Sequence, residues 1–321
     1  MHAIGVDIGG TKIAVGVVDE SGHIVEKTRR ATQPEDAASI DAAIADAVAD
    51  LADRHEIHHV GLAAAGFVSS DRRRVLFAPN IAWREYPLAE RVEALIGRDD
   101  VHVVVENDAN AAGWGEYRYG AGRDVRDMVM LTIGTGLGAA IISEGQLVRG
   151  AYGFAAELGH MRVQPGGHPC GCGHRGCWEQ YASGSALVRE ARRAARERPV
   201  RAAGLIGLAG GDAAAISGPD VTQAAADGDE LGIELLAELG EWIGAGCASL
   251  AAVLDPESFV VGGGVIAAGD LMILPARAAY QEHLPALGHR PVAPIVAAAM
   301  GNDAGIVGAA ALAREVPHSH D

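Results

Sequence analysis

The chain has 321 residues, long enough for two ordinary domains, and its 49% apolar composition supplies a buried core. Lysine and arginine number 26 against 42 acidic side chains, and the resulting formal charge of -16 repels nucleic-acid backbones and anionic lipid surfaces. The opening MHAIGVDIGG has no basic start followed by an apolar run, and no window reaches the ~20 apolar residues of a membrane span, so the expectation is a cytoplasmic protein with no nucleic-acid and no membrane partner.

In chain order, β-rich apolar runs predict strands at Ala3 to Val6, Ile13 to Val18, Val60 to Ala64, Val101 to Val105, Met128 to Ile133, Ala139 to Ile142 and Phe259 to Val261. Helices are predicted over Ala37 to His55 and over Asp229 to Leu254, where Leu231, Leu235, Leu239, Trp242, Cys247, Leu250 and Leu254 recur at steps of three to five. The mixture predicts an α/β protein with mixed sheets. HEIHH at His55 to His59 contains the metalloprotease pattern, but that chemistry needs both histidines on one helical face, and here a helix gives way to a strand. The arginines of REARRAARERPVR, Arg189 to Arg201, read as a solvated helical face.

The chain also resembles itself. VDIGGTKIAVGVVDESGHIV (Val6 to Val25) lies over LTIGTGLGAAIISEGQLV (Leu131 to Val148) with a two-residue gap, which sets Asp7 on Thr132 and Gly9 on Gly134. A weaker echo links VGLAAAGFV (Val60 to Val68) with FVVGGGVIA (Phe259 to Ala267). Two related halves, each opening with a hairpin whose turn is glycine-rich, suit a grip on a polyphosphate from both sides, because bare backbone N–H groups approach an anion closely. Neither turn matches the P-loop pattern, and neither opens a helix. Lys12 is one of only two lysines in the chain.

VHVVVENDANAAGWGEY runs from a strand into a helix, and Asn107 and Asp108 fall at the strand's carboxyl end, where ligand groups of open α/β sheets project. Asp108 is a candidate helix cap and a candidate proton acceptor at once. Phosphoryl transfer asks little of its base, because the transition state is loose and the proton leaves late. Glu157 and Glu179 add carboxylates that accept hydrogen bonds from adjacent hydroxyls.

Cys170, Cys172 and Cys177 follow C-x-C-x4-C, which is not the spacing of thiol-disulfide exchangers and suits tetrahedral zinc with a fourth ligand. His160, His168, His174 and Cys247 compete for that place. Cys247 sits on an apolar helical stripe, the other two histidines lie within or beside a short loop, and His160 leaves a loop long enough to close the shell. A closed Cys3His shell admits no water, so the zinc is expected to be structural. The terminal VPHSHD reads as a frayed tail rather than a metal site.

D-I-G-G-T-K (Asp7 to Lys12), E-N-D-A-N-A-A (Glu106 to Ala112), T-I-G-T-G-L-G (Thr132 to Gly138), E-L-G-H (Glu157 to His160), C-G-C-G-H-R-G-C-W-E (Cys170 to Glu179) and V-G-G-G-V (Val261 to Val265) resemble the ROK family of repressors and sugar kinases. With L-F-A-P-N-I-A-W-R at Leu76 to Arg84, the likeness is to its actinobacterial ATP-dependent glucokinase branch. The resemblance implies an actin-like (ribonuclease H-like) fold of two α/β domains flanking a cleft. The smaller domain is expected over residues 1–109 with about 304–321, and the larger over 110–303, with a zinc-binding loop at 160–177. It also implies transfer of the ATP γ-phosphate to the 6-hydroxyl of glucose, with Mg2+, by homodimers or dimers of dimers. Asp108 then matches the catalytic base, and Ala65, Gly66, Asn80, Asn107, Glu157, His160 and Glu179 match the sugar-binding positions. Asp7 falls near Mg2+; Gly9, Gly10, Thr11, Lys12, Thr132, Gly134, Thr135 and Gly136 fall near the phosphates; Gly262, Gly263 and Gly264 fall near the adenosine. His160 with Cys170, Cys172 and Cys177 matches the zinc site. Many relatives carry Pro-Gly at Ala65-Gly66, and no helix-turn-helix precedes Asp7, which points away from the repressor branch. Another hexose (N-acetylmannosamine or fructose), polyphosphate as donor, and a sugar sensor without catalysis are the competing readings.

Overall fold

A computed structural model describes residues 1–315; the VPHSHD tail, and the reading made of it, lie outside the described residues. The chain forms two compact units, the first from Met1–Arg126, Ala140–Ala156 and Ala299 onward, the second from Asp127–Ala139 and Glu157–Ala298. The elements in order are β1 (His2–Ile8), β2 (Lys12–Val18), β3 (Ile24–Ala31), α1 (Ala37–Ala52), β4 (Ile57–Ala64), β5 (Phe67–Val68), β6 (Val75–Phe77), β7 (Arg84–Tyr86), α2 (Leu88–Ile96), β8 (His102–Asn107) and α3 (Asp108–Tyr119). There follow β9 (Met128–Ile133), β10 (Leu137–Ser143), β11 (Gln146–Leu147), α4 (Gly184–Glu197), α5 (Ala203–Leu208), α6 (Gly218–Ala226), α7 (Glu230–Leu254), β12 (Ser258–Gly262), α8 (Asp270–His283), β13 (Ile295–Ala297) and α9 (Ala304–Glu315).

The self-similarity of the sequence reappears as topology. One five-stranded sheet has the order β3-β2-β1-β4-β8 and the other β11-β10-β9-β12-β13, so in both the first strand lies between the second and the fourth. Antiparallel pairing joins β1 to β2 and β2 to β3, and parallel pairing joins β1 to β4 and β4 to β8. Likewise β10 and β11 are antiparallel, while β9, β12 and β13 are parallel. The second echo, in β4 and β12, occupies the same place in each sheet.

Side-chain size, more than polarity, separates the two faces of β1. Ile4, Val6 and Ile8 join Ile13, Val15 and Val17 of β2 in a large apolar cluster with residues of α1 and α2. Ala3 points to the opposite face, into a small cluster with Ile306, Val307 and Ala310 of α9. That helix lies so close that a Cβ on Gly5 would stand 1.8 Å from the Ile306 carbonyl oxygen, and one on Gly61 of β4 1.9 Å from that of Ala309. Small residues on one face are therefore what admits α9 against the sheet.

Asp36 caps α1 by accepting from Ser39 N at 3.1 Å, and the helix ends at Ala52. His55 is thus outside it and His58 and His59 belong to β4, so HEIHH shares no helical face. Asp229 caps α7 through Gly232 N at 2.8 Å. Among the described residues α7 alone is long and apolar enough to cross a membrane, and 56% of that window is buried. Its outer face carries Glu234, Glu238 and Glu241, all exposed, as a core helix of a folded domain does.

Candidate active site

In the first unit, Ile8, Ala64 and Asn107 stand side by side across β1, β4 and β8, so three parallel strands end in step. The turns that leave them carry Gly9 to Lys12, Ala65-Gly66 and Asn107-Asp108 at one edge of the sheet. Asp7 lies one residue before the end of β1, on the α9 face, with its carboxyl carbon 3.3 Å from where a Cβ on Gly305 would be. Burial raises its pKa, against the pull of Lys12 and Lys27 and with a further push from Asp303, to which Lys27 is paired. Gly9 N donates to the Lys12 carbonyl at 3.0 Å and closes the turn, leaving Gly10, Thr11 and Lys12 exposed.

Asn107 is the cap of α3: its side-chain oxygen accepts from Asn110 N at 3.0 Å. Asp108, the alternative cap, is instead the first helical residue, with Oδ1 accepting from Ala109 N at 2.9 Å. Asn107 Nδ2 donates to the Gly66 carbonyl at 3.1 Å and so joins two of the predicted sugar positions. A Cβ on Gly66 would meet the Phe77 carbonyl at 2.5 Å and Ala78 Cβ at 3.2 Å, which packs this turn against the stretch that leads to the exposed Asn80.

In the second unit the turn after β9 closes through Gly134 N to the Gly136 carbonyl at 3.0 Å, and Gly184 N at the start of α4 donates to the Gly134 carbonyl at 2.8 Å. Thr132 precedes this turn in β9. Gly262 ends β12, and Gly263 has φ 88°, a conformation that glycine adopts without strain, where a Cβ would lie 2.4 Å from the Ile133 carbonyl. The two glycine turns therefore meet. Gly134, Thr135 and Gly264 line a cavity of 1060 Å³, shared with Arg189, Arg192 and Arg196 of α4. The sequence reads these arginines as a solvated face, and the fold sets them on the cavity wall instead. Their spacing marks one helical face, but only the folded chain shows that the face borders a cavity. Arg192 Nε donates to the Ile216 carbonyl at 2.9 Å, and Arg189 donates to the Gln180 carbonyl at 2.7 Å.

The ligand atoms of His160, Cys170, Cys172 and Cys177 all lie within 4.8 Å of one another. Cys172 Sγ is 3.6 Å from Cys177 Sγ, and Cys170 Sγ is 3.7 Å from His160 Nδ1. A tetrahedron with zinc–sulfur bonds of about 2.3 Å has edges of about 3.8 Å, so this donor set fits zinc in size and in chemistry. Backbone bonds hold the segments together, among them Val163 N to the Gly176 carbonyl at 2.9 Å and Trp178 N to that of Met161 at 2.8 Å. His168 and His174 are exposed, Cys247 is buried in α7, and none of them joins the group. Burial raises the thiols of Cys170 and Cys177, and a bound cation would supply the charge that ionises them.

The cluster also fixes its neighbours. Glu179 Oε1 accepts from Cys170 Sγ at 3.0 Å and lies 3.8 Å from His160 Nδ1, and its Oε2 is 2.9 Å from a Cβ built on Gly136. Glu157 accepts from His160 N at 3.1 Å through its carbonyl. The residue is exposed, yet lost solvation raises its pKa, with His160 opposing and Glu179 adding. In the second unit, then, Glu157, His160, Glu179 and the turn after β9 are neighbours.

The ROK family profile matches residues 3–316, and the chain belongs to the ROK family. It shares the actin-like ATPase fold of that family's sugar kinases. It is 51% identical over 312 residues to the glucokinase of Streptomyces coelicolor, covering 97% of each chain. Over 327 residues it is 34% identical to the glucokinase of Halalkalibacterium halodurans, covering 98% of this chain and 96% of that one. A solved ROK family glucokinase from Streptomyces griseus, in complex with glucose and AMPPNP, superposes with a TM-score of 0.89 at 50% identity, over 98% of this chain and 100% of that one.

Proposed function

We propose that this chain is an ATP-dependent glucokinase, which moves the γ-phosphate of ATP to the 6-hydroxyl of glucose and yields glucose 6-phosphate and ADP. The observation that carries the reading is Asp108 at the carboxyl end of β8, in a chain half identical over almost its whole length to a glucokinase. A sugar sensor without catalysis has no use for a proton acceptor there.

The chemistry assigns the roles. As the O6–phosphorus bond forms and the bond to the β-phosphate oxygen breaks, the hydroxyl proton passes to Asp108. Asp108 lies in the first turn of α3, where the helix dipole favours negative charge, and a late proton transfer needs no strong base. Asn80, Asn107, Glu157, His160 and Glu179, with the Ala65-Gly66 turn, hold the sugar hydroxyls. Gly9 to Lys12 and Thr132 to Gly136 present backbone N–H groups and the Lys12 charge to the phosphates, while Gly262 to Gly264 and the α4 cavity take the adenosine. Asp7 would help to hold Mg2+, which when bound would neutralise charge on the transferring phosphate. His160, Cys170, Cys172 and Cys177 would hold zinc as a structural ion, which would fix Glu179 and His160 in place.

The protein works in the cytoplasm as a homodimer or dimer of dimers, the assemblies of its family. Offered ATP and Mg2+ with glucose, fructose, mannose and N-acetylmannosamine in turn, it forms ADP fastest with glucose. No sugar-dependent ADP contradicts the reading, and a faster rate with another hexose moves it to that sugar.

A further inference from the structure

Glu106, the residue before Asn107, is a carboxylate only 1% exposed in the first unit. Its Oε1 accepts from Asn107 N at 2.9 Å and from Asn110 Nδ2 at 3.1 Å, so it holds both sides of the turn into α3. Its Oε2 faces two guanidinium groups, with Arg72 Nε at 3.2 Å and Arg149 Nε at 2.9 Å. Neither approach is aligned as a hydrogen bond, and both are charge contacts. Both terminal nitrogens of Arg149 are committed elsewhere, donating to the Ser70 and Ser69 carbonyls at 2.8 and 2.9 Å. The Arg72 carbonyl accepts from Val105 N at 2.9 Å, and Arg72 itself sits at φ 58°, a left-handed conformation that costs a residue with a Cβ.

An arrangement of this kind is expensive as a means of filling a core. Well-packed apolar side chains in place of a buried ion group are often neutral or stabilising, since both charges must leave water. What charged groups add is direction: Arg149 reaches the 69–70 turn while its guanidinium faces Glu106, and Glu106 binds the backbone that carries the next two side chains.

We infer that Glu106 is a positioning residue for phosphoryl transfer, oriented by Arg72 and Arg149 so that Asn107 and Asp108 are held at fixed places on the turn into α3. The inference rests on the reading of Asp108 as proton acceptor. Glu106→Gln keeps the shape and an acceptor for Asn107 N but turns a donor toward the arginines. Arg149→Lys keeps the charge and loses the fork that binds the Ser69 and Ser70 carbonyls while its Nε faces Glu106.

The test measures kcat, glucose KM and thermal unfolding for both variants and for Asp108→Asn, with turnover read well below each unfolding temperature. A misplacement of about 1 Å costs roughly 100-fold in rate, so Glu106→Gln is expected to lose tenfold or more in kcat with a smaller change in glucose KM. A residue that only stabilises the fold would lower the unfolding temperature and leave kcat per folded molecule intact, and a fall of less than tenfold in folded Glu106→Gln overturns the inference. Should that variant not fold, Arg149→Lys decides by the same tenfold criterion. Parent-like turnover in Asp108→Asn would instead sink the base assignment, whatever the other variants do. An inactive Asp108→Asn beside an unimpaired Glu106→Gln sinks the positioning role alone.

Discussion

The Sγ atoms of Cys172 and Cys177 stand 3.6 Å apart, the separation of neighbouring corners in a tetrahedral zinc shell. Purified protein is expected to carry about one zinc per chain by elemental analysis. Cys172 is exposed, so Cys172→Ala opens no core cavity, and its loss of metal and of activity together would report the shell itself. Fully active protein free of metal would contradict this.

Trp178, next to Cys177, is completely buried and donates from Nε1 to the Trp242 carbonyl at 2.9 Å. Its ring lies 2.0 Å from where a Cβ on Gly246 of α7 would stand, so helix and loop fit each other closely. Trp178→Ala is expected to cost about 3–5 kcal/mol and to lower the unfolding temperature of the second unit, with faster zinc loss to a chelator. An unchanged unfolding curve would show that the loop does not depend on this anchor.

Asp7 carries a signed pH dependence. Burial holds its folded-state pKa above the unfolded value of about 3.9. Whatever stability it contributes is present below that value and is lost as pH rises through the folded pKa, leaving a net burden at pH 7. Without Mg2+ and nucleotide, Asp7→Asn should therefore unfold at a higher temperature than the parent at pH 7, a gain that shrinks toward pH 3, while its turnover falls by roughly 100-fold or more. A variant less stable than the parent at pH 7 would refute the sign.

Arg192 borders the cavity beside Gly134 and Gly264, and its Nε donates to the Ile216 carbonyl. Arg192→Ala is expected to raise the KM for ATP by roughly tenfold, the worth of one charge-assisted hydrogen bond, and to leave glucose KM unchanged. A change in glucose KM alone would assign the cavity to the sugar.

Elements with a local signature were legible in the sequence. The apolar runs of β1, β2, β4, β8, β9, β10 and β12 and the stripe of α7 were readable because burial is periodic along them. Others had no such mark. The sequence of β3 includes KTRR and is half exposed, α8 holds Pro275 inside it, and α9, AGIVGAAALARE, is buried nearly all round with no polar face to give a period. At the candidate site, ligands close in sequence declared themselves by spacing, as Cys170, Cys172 and Cys177 did. Glu106 with Arg72 and Arg149 did not, because the contact joins three distant segments that only the folded sheet brings together.

The most direct test incubates glucose with ATP and Mg2+ and follows ATP, ADP and sugar phosphate by phosphorus NMR, with the parent protein and with Asp108→Asn. The account predicts glucose 6-phosphate in step with ADP from the parent, and a rate roughly 100- to 10,000-fold lower from the variant, which still binds glucose. Formation of a different phosphate ester, or equal rates from the two proteins, would contradict it.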